Sequence, residues 1–212
     1  MLYVTGMADV TIIENADDGA IADWLAARLA EALASTEGPV TITVPGGSTP
    51  FPIIGKLLES DLDFARLVVW PNDDRIVPED HAASNTGKLR ALFEPAGAEV
   101  VTLTEMEAVP RFDLAWLGMG ADGHIASLFP NTDPQLDEAR RIVRLTPDPL
   151  PPEAPFDRIS LTLPALLDSA QVAFVIRGED KRAVFDAAAA GASDLPVARF
   201  LSGASQPVTC FT

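Results

Sequence analysis

Short apolar runs and amphipathic stretches alternate along the chain, strand then helix, almost from end to end. Val10 to Glu14 reads as a short strand. A helix follows from about Asp17 to Ser35, with Ile21, Leu25, Leu29 and Leu33 as its apolar stripe, Trp24 alongside, and Asp17 and Asp18 at the positive end of the helix dipole. Val40 to Val44 is a β-branched strand. Pro45-Gly46-Gly47-Ser48-Thr49-Pro50 then turns the chain into a helix reaching about Glu59, with Thr49 as N-cap and Pro50 at the first helical position. Leu67 to Trp70 is a buried strand, followed by a polar loop containing Pro71 and Pro78. Thr86 to Phe93 is a helix that buries Leu89, Leu92 and Phe93. Asp113 to Leu117 is a strand running into Gly118-Met-Gly-Ala-Asp-Gly-His124. Residues 145 to 156 form a proline-rich loop. Ile159 to Leu163 reads as a strand, Pro164 to Leu167 as a short helix, Ala170 to Ile176 as a strand, Gly178 to Ala190 as an Ala-rich helix, and Val208 to Phe211 as a last edge strand. This order predicts one α/β domain over residues 1–212, with a mainly parallel sheet flanked by helices on both faces, a Rossmann-like arrangement. Ligands of such sheets bind at the carboxyl ends of the strands, where the glycine-rich and polar segments of this chain fall.

Charge narrows the partners. Lys and Arg total 15 against 31 Asp and Glu, a net charge of -16. Nucleic acid and anionic membrane surfaces are disfavoured, because both are bound through cationic contacts. A small anionic ligand remains compatible if cations gather locally. The single cysteine, Cys210, allows no disulfide framework or cysteine metal cluster, and the two histidines, 43 positions apart, offer no zinc spacing. No signal peptide or spanning segment is read from the sequence, so the expected compartment is the cytoplasm.

Five segments carry candidate chemistry. Gly46, Gly47, Ser48 and Thr49 precede a helix N-terminus, an arrangement suited to phosphate, though without the Gly-Lys-Ser/Thr ending of a nucleotide loop. Arg75 carries a fork that fits phosphate, but Asp73, Asp74 and Arg75 taken alone read as a solvated surface ion pair, and His81 alone as a loop residue. Gly118, Gly120 and Gly123 match a dinucleotide pattern, yet Asp122 would sit where a pyrophosphate belongs, and Pro130 and Pro134 leave room for only a short helix. His124 with Asp122 fits general-base chemistry better, with a structural loop histidine as the alternative. Arg158 and Lys181 complete a set of three cations at predicted strand ends with Arg75.

In this order, over roughly residues 10 to 205, the chain resembles the 6-phosphogluconolactonase family, whose fold is shared with glucosamine-6-phosphate deaminase. The resemblance implies hydrolysis of 6-phospho-D-glucono-1,5-lactone to 6-phosphogluconate, in the oxidative branch of the pentose phosphate pathway, with no metal or other cofactor. It implies His124 as general base beside Asp122. Gly46, Gly47, Ser48 and Thr49 would form the sugar-phosphate loop, Arg75 would match the arginine of an Asp-Glu-Arg motif, and His81, Ser84 and Asn85 a His-x-x-Ser-Asn motif. Arg158 and Lys181 would be cations near the phosphate. The expected partner is a small sugar phosphate, bound by a monomer or weak homodimer. Ser127-Leu128-Phe129-Pro130 is similar to the lactonase version of its segment, where deaminases carry Ala-Phe-Asn-Glu-Pro. Asp74 departs from the family's usual Glu, and Ile125 from a frequent Thr. A deaminase-like sugar-phosphate isomerase and a non-catalytic sugar-phosphate sensor are the alternatives.

Overall fold

The computed structural model describes residues 9–150, 152 and 154–212. Its first half runs β1 (Val10–Ile13), α1 (Asp18–Ser35), β2 (Val40–Val44), α2 (Pro50–Leu57), β3 (Leu67–Pro71), β4 (Asp73–Arg75), α3 (Asn85–Phe93) and β5 (Glu99–Val100). The second half runs β6 (Leu114–Leu117), β7 (Ile142–Leu145), β8 (Arg158–Leu161), α4 (Leu163–Leu167), β9 (Val172–Val175), α5 (Glu179–Ala189), α6 (Pro196–Gly203) and β10 (Val208–Phe211).

Strands buried on both faces must be apolar throughout, and alternate residues must then serve opposite layers. In β6, Leu114 and Trp116 pack on one face and Ala115 and Leu117 on the other; in β9, Ala173 and Val175 oppose Val172 and Phe174. The first face is covered by α1, α2 and α3 through Ile21, Leu25, Ile53, Leu57, Leu89 and Phe93. The second is covered by α4, α5 and α6 through Leu166, Phe185, Val197 and Phe200. The predicted stripe of α1 is buried throughout, and Asp17 caps that helix by accepting the Ala20 N–H at 2.8 Å. The main sheet has seven strands in the order β1-β10-β9-β6-β2-β3-β5, and every pairing in it is parallel.

Four local expectations need correction. Val208–Phe211 is not an edge strand: β10 pairs with β9 on one side and with β1 on the other, because the amino-terminal strand closes the sheet outside it. The segment after β3 is not simply a polar loop: β4 opens a second, antiparallel sheet in the order β4-β8-β7. Thr49 does not cap α2; its backbone is already helical and its side chain makes no capping bond. Leu92 is only half-buried, whereas Leu89 and Phe93 are fully buried.

The one thiol lies inside the parallel sheet, where burial pushes its pKa up to about 12. Reactivity follows the thiolate. Cys210 is therefore expected to resist an aromatic disulfide reagent at pH 8 in the folded protein and to react at once in denaturant; rapid labelling of the native chain would contradict its place in β10.

Candidate active site

The loop after β6 presents His124. Its Nδ1 lies 2.6 Å from Asp122 Oδ1, and its backbone N–H donates to the same oxygen at 3.2 Å. The His124 ring holds the Asp122 carboxyl below the usual carboxylate range. An ionised Asp122 fixes the imidazole proton on Nδ1 and leaves Nε2 as the free base. The Phe129 ring, with its centroid 4.6 Å away, limits how the imidazole can turn. Gly120 lies directly under the pair: a Cβ there would fall 2.2 Å from His124 Cε1 and 2.6 Å from Asp122 Oδ1. Ala126 sits at φ 49, a left-handed conformation that stores strain between His124 and Ser127. No α-helix starts at Gly123, and the next helical piece is a single 3-10 turn at Pro130–Thr132, so this loop lacks the helix N-terminus that a dinucleotide pyrophosphate needs.

Asp73 and Asp74 are not a surface ion pair with Arg75; both are buried. Asp74 accepts the N–H groups of Asn85 at 2.6 Å, Arg75 at 2.8 Å and Thr86 at 2.9 Å, and the Ser84 hydroxyl at 3.0 Å. The shorter acid thus secures the start of α3 with three hydrogen bonds and its own strand with a fourth. Asp73 bonds to the Ser127 hydroxyl, whose own N–H donates to Ser160 Oγ at 3.2 Å. Burial raises the Asp73 pKa, and the Ser127 bond opposes this only in part. A carboxyl whose folded pKa lies above its unfolded value favours folding when protonated and loses that contribution as pH rises through the folded pKa. Asp73→Asn is accordingly expected to melt at or above the wild-type temperature at pH 7, with the difference shrinking towards pH 4. A mutant equally destabilised at both pH values would contradict the burial effect.

Arg75 and Arg158 face each other across the β4–β8 ladder. Arg75 donates to the Ala83 carbonyl at 3.1 Å and to Asn85 Oδ1 at 2.7 Å. Arg158, almost completely buried, donates to the Phe156 and Ala154 carbonyls at 2.6 and 2.7 Å. Burial first, and the Arg75 charge second, lower the Arg158 pKa from its ordinary value. Asn85 lies over Gly46, where a Cβ would overlap its amide.

The cleft has two lobes that meet at His124. One, about 270 Å³, is lined by Gly46–Pro50, Asn72, Gly118–Gly120, Arg177 and Lys181, among others. The other, about 300 Å³, is lined by Arg75, Asn85, Ser127, Phe129, Ala154 and Arg158. Gly46, Gly47, Asp73, His124 and Ala126 border both. In the first lobe, Gly47 has φ 98, and the N–H groups of Gly47, Ser48 and Thr49 donate to no backbone carbonyl among the described residues. The uncapped end of α2 thus faces the cavity with free donors.

The three cations read as candidates for the phosphate are divided: Lys181 lies in one lobe, Arg75 and Arg158 in the other. His81 lines neither; its Nδ1 accepts the Ala83 N–H at 3.0 Å and its ring packs edge-on against Phe156. Sequence reading missed Arg177, two residues beyond β9 and paired with Asp18 at 3.2 Å, although its position after a strand was the available signal. It also missed Asn72 in the first lobe, and it read Ser127 only as part of a family-distinguishing segment. Among the described residues, no three His, Cys, Asp or Glu side chains gather as a metal ligand set, and no helix is long and apolar enough to cross a membrane.

The family model for glucosamine-6-phosphate isomerases/6-phosphogluconolactonase matches residues 16–100 and 94–209. The chain belongs to this family. A 6-phosphogluconolactonase of Neisseria meningitidis is 36% identical over 204 residues, covering 84% of this chain and 87% of the relative. A 6-phosphogluconolactonase of Pseudomonas putida is 35% identical over 222 residues, covering 92% and 90%. The crystal structure of a 6-phosphogluconolactonase from Shewanella baltica superposes with a TM-score of 0.80 over 97% of this chain and 98% of that one; at 24% identity it shows the shared fold. Within this member of the family, the segment from Ser127 to Pro130 does local structural work: Ser127 holds Asp73, and Phe129 packs on the His124 ring.

Proposed function

We propose that the chain hydrolyses 6-phospho-D-glucono-1,5-lactone to 6-phosphogluconate, the step that opens the lactone in the oxidative pentose phosphate pathway. The observation that carries this reading is a histidine with Nδ1 tied to Asp122, set where a phosphate-suited lobe meets a second polar lobe. Relatives named as lactonases at 35–36% identity support it.

The substrate phosphate is largely dianionic at neutral pH. Its tetrahedral oxygens suit the divergent N–H groups of Gly47, Ser48 and Thr49 at the start of α2, with Lys181 adding a point charge. This places the lactone ring at the junction. His124 Nε2 takes a proton from water, and the hydroxide equivalent attacks the C1 carbonyl. The tetrahedral intermediate collapses as the C1–ring oxygen bond breaks. The imidazolium returns its proton to the departing ring oxygen, and the new carboxylic acid loses its own proton to water. Asp122 stays ionised and steadies the imidazolium.

Lys181→Ala is expected to raise KM for the phosphorylated lactone by about 10-fold, the scale of one charged hydrogen bond, with kcat little changed and no effect on unphosphorylated gluconolactone. An unchanged KM would remove Lys181 from the phosphate site. The reaction class is tested by two parallel assays. Lactone loss above the spontaneous rate with no ammonia from glucosamine 6-phosphate supports the reading; ammonia release without lactone hydrolysis assigns the chain to the deaminase branch.

A further inference from the structure

We propose that Arg75 and Arg158 form a carboxylate clamp for the C1 end of the open-chain product, so that the cleft binds an acid carrying a negative group at each end. The inference rests on the lactonase reading above. The two arginines occupy directly opposed positions in the β4–β8 register, so both side chains leave the ladder on one face, and both line the same lobe. Like charges so placed repel. Their hydrogen-bond partners are nevertheless neutral: the Ala83 carbonyl and Asn85 amide oxygen for Arg75, and the Phe156 and Ala154 carbonyls for Arg158. Arg75 Nε is buried with no partner among the described residues. Asp73 borders the lobe, but its carboxyl is engaged by Ser127 and disfavoured as an anion by burial. Asp74 and Asp157 also attract Arg158 from nearby, but among the described residues neither they nor Asp73 hydrogen-bonds to either guanidinium, so the pair can still take up an anion.

The shape of that anion follows from the two lobes. A planar carboxylate matches the planar fork of a guanidinium, whereas the tetrahedral phosphate is matched across the junction by backbone N–H groups and Lys181. Lactone hydrolysis turns a neutral carbonyl carbon beside His124 into a carboxylate, and His124 borders the arginine lobe. The clamp therefore favours product over substrate, and the enzyme is subject to inhibition by its own phosphorylated acid.

Titration calorimetry at fixed ionic strength tests this with 6-phosphogluconate and with glucitol 6-phosphate, which keeps the phosphate and lacks the carboxylate. The wild-type protein is expected to bind the acid on the order of 10–100-fold more tightly than the alditol, the scale of charge-assisted hydrogen bonds. Arg158→Ala should abolish that preference while keeping the alditol affinity, which also shows that the variant is folded. Should that variant not fold, Arg75→Lys serves: it keeps the charge, loses the fork and should narrow the preference. Lys181→Ala should weaken both ligands in parallel. Equal wild-type affinity for the two ligands, or parallel loss of both in a folded Arg158→Ala, overturns the clamp even where the lactone is hydrolysed. Failure of the wild-type protein to bind either ligand or to hydrolyse the lactone overturns the lactonase reading and the clamp with it.

Discussion

His124→Ala is expected to lower kcat for lactone hydrolysis by about 10²–10⁴-fold, the usual contribution of a positioned general base. The side chain is 30% exposed and, among the described residues, its one hydrogen bond goes to Asp122, so the fold loses little with it. The loss should therefore appear in kcat with a melting temperature close to wild type, and KM should move far less, because the phosphate lobe is intact. Asp122→Asn is a milder version: the base remains, but the acceptor that fixes its proton on Nδ1 becomes a neutral amide, so kcat should fall by less than in His124→Ala. Near-normal turnover in a folded His124→Ala would remove the histidine from the role.

Gly120→Ala is expected to lower kcat by about 10²-fold, because the added methyl group displaces the general base. Its Cβ would lie 2.2 Å from His124 Cε1 and 2.3 Å from Nδ1, far inside van der Waals contact, so the imidazole and its Asp122 partner must shift. A displacement of about 1 Å in a catalytic group is enough for a loss of that size. Wild-type kcat in this variant would mean that the imidazole has freedom to relocate and that its packed position does not set the rate.

These effects differ in how far the chain alone announced them. The β-branched run Val40–Val44, bounded by Pro45 and Gly46, and the capped stripe of α1 are local signals, and the structure follows both. The acidic strand β4 is not a local signal. Asp74 can be buried only because Ser84, Asn85 and Thr86 return ten to twelve residues later to supply its donors. The interior place of β10 is equally non-local, since it depends on β1, at the other end of the chain, closing outside it. The cations illustrate the same limit at the site. Arg75, Arg158 and Lys181 were each recognisable as strand-end charges, but whether they share one anion depends on the second sheet, which carries the two arginines to the far side of His124. Lobes formed by segments more than a hundred residues apart have no signature in spacing. The pairing of Asp122 with His124, two positions apart, does, and it was the part of the site most readily read from the sequence.

The central claim is most directly measured by generating the lactone in place with glucose-6-phosphate dehydrogenase and following its disappearance without protein, with the wild-type chain and with His124→Ala. Hydrolysis well above the spontaneous rate is expected for the wild type, and a return close to background for the variant. A wild-type trace that overlies the spontaneous one would contradict it.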